Sequence, residues 1–375
     1  MIKTHAGGIA LIAGAVVLLI ALGLVYAATR PGDDSTTCSE FFAGMENPPA
    51  AALAWCNAGS YFSWESTLAV NDRFEPVNIF NVCQGDPATP AILLIHGYPT
   101  SSFDFAPLMA NLSTDYYVCA LDTPGYGFSD KPGQGFDYSI FDDAQLVDEY
   151  VREVVAFEEF TLLTHDKGDS VGLALLQLYQ GYDERQYTIN HHVITNGNVY
   201  LPLAQLTTFQ TALLNTTTGP LLTRFVRGGQ LASGLAEQAF ASDVPPDEVA
   251  SYAATFDYQD GGRWQHDIIL YLAERAENEV VWLDALAASD IPTTLIWGEQ
   301  DAIAPVTVPD FVWETALEKR EAPASYWQIP CADHYLQVDT PDLIEDIVRA
   351  TLANESLPYS FEGQRCSASL VDTNE

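Results

Sequence analysis

The chain has 375 residues, 48% of them hydrophobic, enough to bury a large core in one big domain or two modest ones. Its 15 Lys and Arg face 51 Asp and Glu, for a formal net charge of -36. That carboxylate excess excludes nucleic acid and anionic lipid as partners, because it repels both.

The amino-terminal segment reads as a targeting signal. Lys3 and His5 precede an uncharged run from Ala6 to Thr29, long enough to cross a bilayer as one helix. Positive charge before the run and Asp33-Asp34 after it predict the amino terminus inside and the bulk of the chain outside. Residues 1–29 are therefore expected to be one transmembrane helix that tethers an extracytoplasmic domain. If Val25-Tyr26-Ala27 marks a cleavage site, the segment is a signal and the protein is secreted. Six cysteines in an exported chain predict at least one disulfide. Cys38–Cys56 and Cys331–Cys366 are favoured by position, and Cys83–Cys119 follows if their strands are neighbours. No C-x-x-C or His-rich spacing points to a metal.

Residues 30–60 are rich in Pro, Ala and acid, and predict an irregular stalk or cover. "WESTLAV" (64–70) and "VNIFNV" (77–82) predict a hairpin. Short apolar strands are expected at 91–97, 116–122, 160–165, 191–197, 293–298 and 324–330. Helical spacing of apolar residues covers 142–157 and 170–180. Apolar strands separated by helices predict an α/β fold with a mostly parallel central sheet, covered on both faces. Between 199 and 290 the helical segments have no strand between them. They predict an all-helical cap over the strand ends, inserted between core segments 61–198 and 291–357. The polar tail, 358–375, is expected to be loosely held unless Cys366 is bridged.

Two overlapping readings of a sharp strand-to-helix turn occur in "LLTHDKGDSVGLALL" (162–176). Gly168-Asp169-Ser170-Val171-Gly172 is a G-x-S-x-G match, but it makes "HDKG" a buried strand, for which it is too polar. Thr164-His165-Asp166-Lys167-Gly168 puts Asp166 directly after the apolar strand and directly before the helix. Asp166 is the expected nucleophile; its plainer reading is a helix N-cap. Asp301 and His334 each follow a predicted strand, in the chain order nucleophile, acid, base. His96-Gly97-Tyr98-Pro99 follows the strand at 91–95, so the backbone N–H groups of Tyr98 and Lys167 are the expected oxyanion hole. The Lys167 side chain is expected either to attract an anionic group or to pair with a nearby carboxylate.

In "HGYP" (96–99), "DTPGYGFSDKP" (122–132) and "THDKG" (164–168) the chain resembles the aspartate-nucleophile branch of the α/β-hydrolase superfamily. That branch includes the epoxide hydrolases and haloalkane dehalogenases. "HGYPTSS" and "HDKGD" resemble the mesoderm-specific transcript group within it. The resemblance implies an α/β-hydrolase fold, with Asp166 as nucleophile, His334 as base and Asp301 as its orienting acid. It also matches Tyr271 by position to a cap tyrosine that donates a proton to an epoxide oxygen. Tyr200, Tyr252 and Tyr258 are candidates for a second such tyrosine by composition alone. Tyr98 and Lys167 stand where dehalogenases of this branch carry halide-binding Asn and Trp, a departure that favours epoxides over halides.

A carboxylate nucleophile fits attack at a saturated carbon, since attack on an ester carbonyl gives a reactive anhydride. The expected activity is that of an epoxide hydrolase on a small hydrophobic organic substrate, through an aspartyl ester and without metal or organic cofactor. The alternatives are a haloalkane dehalogenase, a serine-type esterase through Ser170, and a binding protein without turnover.

Overall fold

Residues two apart in each apolar run face the same side of a strand, and this periodicity builds the core. In a computed structural model, which describes residues 32–353 and 356–374, Leu93, Ile95, Cys119, Leu121, Leu162, Ile194 and Leu295 join one hydrophobic cluster. Their neighbours Ile92, Leu94, Val118, Ala120, Leu163, Val193 and Ile296 join a second, on the other face. The sheet is thus buried on both sides, as parallel strands require.

The ten strands run in the order β1-β2-β4-β3-β5-β6-β7-β8-β10-β9. They are β1 Gly59–Trp64, β2 Val77–Gln84, β3 Ala91–Ile95, β4 Tyr117–Leu121, β5 Glu159–His165, β6 Thr188–Thr195, β7 Thr293–Gly298, β8 Ala324–Ile329, β9 Ser360–Glu362 and β10 Ser367–Thr373. The central six, β4 to β8, are parallel. β1 and β2 pair antiparallel on one side, and β9 and β10 on the other.

Two expectations need correction. The segment 64–70 is not a strand beyond Trp64: β1 lies earlier, and Ala69–Asn71 is a 3-10 turn. The Asp142 carboxylate draws this segment off the sheet by accepting from Ser66 Oγ, Thr67 N and Thr67 Oγ1. The expected irregular segment 30–60 instead forms two helices, Cys38–Ala43 and Ala50–Ala58, joined by the Cys38–Cys56 disulfide. Phe42 and Trp55 seat them in the core. The tail follows the exception stated for it: Cys366 is bridged to Cys331, Ala368 is buried and β10 pairs with β8. The third disulfide joins Cys83 and Cys119, which face each other across β2 and β4.

Between β6 and β7 the chain forms helices Thr208–Leu214, Gly219–Leu222, Gly228–Gln238, Pro246–Asp257, Gln265–Ile269 and Tyr271–Ala287. They lie over the carboxyl ends of the parallel strands. Tyr335, just past β8, donates its backbone N–H to the carbonyl of Ala239 in this layer. Among the described residues no helix is long and apolar enough to cross a membrane. The anchor expected at 1–29 lies outside the described residues.

Candidate active site

β5 ends at His165 and a helix, Lys167–Gln180, begins two residues later. Asp166 makes the turn alone, at φ 53 and ψ -115. A side-chain-bearing residue at positive φ is strained, and such strain at a strand–helix turn lifts the side chain above the sheet. The turn also demands glycine around it. A Cβ on Gly97 would stand 2.4 Å from Asp166 Cβ, and one on Gly168 would stand 2.3 Å from the Ile95 carbonyl oxygen. "HGYP" and "HDKG" therefore owe their glycines to one close approach.

Asp166 stands before the helix but makes no side-chain capping bond to it. Its Oδ1 accepts the Tyr98 backbone N–H at 2.6 Å. Its Oδ2 lies 3.5 Å from His334 Nε2. Lys167 is the first helical residue, so its amide is one of the first-turn donors that have no acceptor within the helix. The other imidazole nitrogen, His334 Nδ1, is 2.8 Å from Asp301 Oδ2. That oxygen also accepts from Asn196 Nδ2 at 2.8 Å, while Oδ1 accepts from the amides of Ile303 and Ala304 at 2.7 and 2.9 Å. The structure thus brings Asp166, His334 and Asp301 together from three different strand ends.

Charge is balanced within this group. Burial alone would raise the Asp301 carboxyl, but His334 and the donated hydrogen bonds outweigh it and hold the group down at about 2. Burial likewise opposes the Asp166 anion, yet the hydrogen bond and charge of His334 lower its pKa. His334 is pushed down by burial and up, more strongly, by Asp301 and Asp166, so it holds its proton well above the usual imidazole range. His165 and His96 are buried, which takes both down to about 3 and leaves them neutral. His96 Nε2 accepts the Thr123 N–H at 3.1 Å, tying the loop after β3 to the loop after β4.

Ser170 is the fourth residue of the helix, and its Oγ is held by the guanidinium of Arg275, which also donates to the Val199 carbonyl. No imidazole nitrogen bonds to Ser170 among the described residues. Arg275, fully buried in the cap helix Tyr271–Ala287, therefore ties the cap to the core beneath the site.

The Lys167 side chain is buried and pairs with Asp143 Oδ2 at 2.5 Å. Its Nζ also sits 4.4 Å from the Tyr126 ring centroid and 5.8 Å from that of Tyr271. Of the two roles weighed for it, the structure shows the carboxylate pairing. Tyr271 is buried, with its ring 6.1 Å from that of Tyr98. Tyr98 Oη and Tyr126 Oη are both buried with no hydrogen-bond partner among the described residues, which buried hydroxyls rarely tolerate. The other three candidates lie elsewhere: Tyr200 stacks on Phe311, Tyr252 meets Phe103 edge-on and Phe240 at a tilt, and Tyr258 faces Lys131. Sequence reasoning missed Asn196, Asp143 and the side chains of Tyr98 and Tyr126. Tyr126 stood inside the quoted "DTPGYGFSDKP". Asn196 and Asp143 carried no motif.

A cavity of about 470 Å³ opens between cap and core, lined by Pro99, Leu231, Leu235, Ala239, Ile303 and Tyr98. Tyr98 belongs to both the cavity and the site. A larger concavity of about 1120 Å³ lies at the amino ends of the central strands, around Pro87 and Glu158, and holds none of these catalytic candidates. Ligands of such sheets bind at the carboxyl ends of the strands, which favours the smaller cavity.

The model of the alpha/beta hydrolase fold family matches residues 90–341, the span that contains every residue of this site. The chain belongs to the alpha/beta hydrolase fold family. It is 32% identical to the hydrolase LipZ of Mycobacterium tuberculosis over 262 residues, 69% of this chain and 87% of that one. It is 30% identical to the mesoderm-specific transcript protein of Mus musculus over 299 residues, 78% and 84% of the two chains. Epoxide hydrolase 3 of Xenopus tropicalis is 23% identical over 330 residues, 83% of this chain and 84% of that one. A haloalkane dehalogenase structure from Bradyrhizobium elkani superposes with a TM-score of 0.61 at 19% identity, covering 79% of this chain and 98% of that one. At that identity the likeness concerns the fold.

Proposed function

We propose that this hydrolase opens epoxides to diols through an ester on Asp166. One observation carries the reading: the imidazole that Asp301 orients faces Asp166 Oδ2, while Ser170 is locked to Arg275. Oδ1 rests on the Tyr98 amide, so Oδ2 is the oxygen that attacks a ring carbon. The ring C–O bond breaks, and the departing oxygen takes a proton from Tyr98, Tyr126 or Tyr271. Two of these hydroxyls are buried without partners among the described residues, which supports a tyrosine donor over a halide cradle.

Alkylation then changes the base. Both carboxylates keep the proton on His334 in the free enzyme. Esterified Asp166 is neutral, so the imidazole loses part of that stabilisation and releases its proton more readily. The neutral ring takes a proton from water as the water attacks the carbonyl carbon of Asp166. The oxyanion forms at Oδ1, where the amides of Tyr98 and Lys167 hold it. Its collapse expels the second diol oxygen, which takes the proton from the imidazolium; the carboxyl proton left on Asp166 then returns to His334, and the proton that His334 gave up earlier returns to the tyrosine.

A single turnover of a small apolar epoxide in oxygen-18 water tests the scheme. The label is expected in the Asp166 peptide and not in the first diol. Label in that diol with an unlabelled enzyme refutes the ester and reopens the serine route. Localisation is part of the same proposal. The charge-flanked run up to Thr29 tethers the catalytic domain on the extracytoplasmic side, or is cleaved to release it. Pairing of all six cysteines supports an oxidising compartment.

A further inference from the structure

Carboxylates are spread along this chain at 51 in 375 residues, yet none occurs between Glu184 and Glu237. At the average density that stretch would carry about seven. Its surface portion is the first half of the cap. There the exposed polar residues other than Arg224 are uncharged (Thr216, Thr217 and Thr218 among them). The same segment exposes Phe209, Leu221, Leu222 and Phe225, four of the twelve large apolar side chains exposed on the described surface. Phe209, Leu222 and Phe225 also line the 470 Å³ cavity. The apolar lip is therefore continuous with the cavity that reaches Tyr98.

A chain of net charge -36 is repelled by any anionic surface, and a segment that carries no acid of its own adds nothing to that repulsion. Apolar side chains flanked by an arginine and by uncharged hydroxyls suit the headgroup region of a neutral bilayer, where rings and aliphatic chains enter and the guanidinium meets phosphate. We propose that the cap lip at residues 209–225 rests on the surface of a zwitterionic phospholipid bilayer, and that a lipophilic substrate passes from the bilayer into the cavity. The contact is independent of residues 1–29 and of which bond the site cleaves.

The described cysteines are all paired, so Leu221→Cys in the full chain gives a single thiol for an environment-sensitive fluorophore. Ala88→Cys, exposed ahead of β3 at the amino ends of the strands, is the control. On vesicles of phosphatidylcholine and phosphatidylethanolamine, the probe at 221 is expected to shift to the blue and brighten about two-fold or more, and the probe at 88 to stay unchanged. A water-like spectrum at 221 on protein that co-sediments with the vesicles overturns the proposal, as do equal shifts at both positions. In a second arm, Leu221→Asp/Arg224→Glu is expected to lower turnover of a long-chain epoxide held in vesicles about ten-fold, and to leave a water-soluble epoxide unaffected. Equal loss on both substrates counts against the lip. Absence of turnover by the wild-type protein refutes the epoxide reading, and the spectra still decide this one.

Discussion

Replacing Lys167 by Met leaves Asp143 as a buried carboxylate without its cation. Burial already raises Asp143 to about 6, against the pull of the lysine and with a further push from Asp142 and Glu274. Measured from a usual carboxylate value of 3.8, that rise is about 3 kcal/mol of burial penalty that the lysine does not offset. A raised folded-state pKa means stability that is present below the unfolded value and is lost as pH climbs through about 6. Without Lys167 the folded value rises further, so the loss continues to higher pH. At pH 5 Asp143 is mostly protonated in both proteins, and the substitution costs only packing. At pH 8 the wild type keeps an ion pair, while the variant must protonate Asp143 or bury it charged. If the variant's value exceeds 8, the extra cost at pH 8 over pH 5 is about 3 kcal/mol, near the known cost of orphaning a buried ion. Urea unfolding of both proteins at both pH values measures it, and other ionising groups cancel in the difference. Lys167→Met/Asp143→Asn is expected to recover most of the loss. A penalty equal at pH 5 and pH 8, or below about 1 kcal/mol at pH 8, refutes the reasoning.

Acid is expected to separate the two chemical steps, because Asp166 stays ionised below the usual carboxylate range while His334 stays protonated. Intact mass after rapid quench should show alkyl-enzyme at pH 5 and little at pH 8; equal adduct at both removes His334 from the second step. Asp301→Asn keeps a polar group of the same shape but loses the charge that orients the imidazole, so kcat should fall roughly a thousand- to ten-thousand-fold, with adduct accumulating on Asp166. Cys366→Ser opens the Cys331–Cys366 loop and should cost about 3–4 kcal/mol in urea, with early proteolysis of β9 and β10; a tail as resistant as the wild type's would show that strand pairing alone holds it.

The parallel core was legible because its strands are short, apolar and two-faced, and such runs as "AILLI" fit little else. The Asp166 turn was legible because a strand and a helix left room for one residue between them. The misplaced β1 was not legible, because the force that pulls 65–67 off the sheet comes from Asp142, some 75 residues away. The strands of the tail, unlike its bridge, were unreadable for a related reason. Ser367–Thr373 is a weak strand by composition and gains its place from β8 and from Cys331. The partners of His334 were legible one at a time, each just past a strand. Asn196 was not, since an asparagine at a strand end has many uses, and only the fold shows its amide on Asp301.

The three disulfides join the first cysteine to the second, the third to the fourth and the fifth to the sixth. Six cysteines allow 15 connectivities, and this is the one in which every partner is the next cysteine along the chain. A polypeptide that emerges into an oxidising space in order of synthesis exposes Cys38 before Cys56, closes that pair, and only then presents Cys83. The long interval from Cys119 to Cys331 keeps the last pair apart from the others in time. Oxidation in order of arrival therefore yields the native bonds directly, whereas refolding of the fully reduced chain, with all six thiols present at once, must find them among the 14 wrong pairings and depends on thiol exchange to do so.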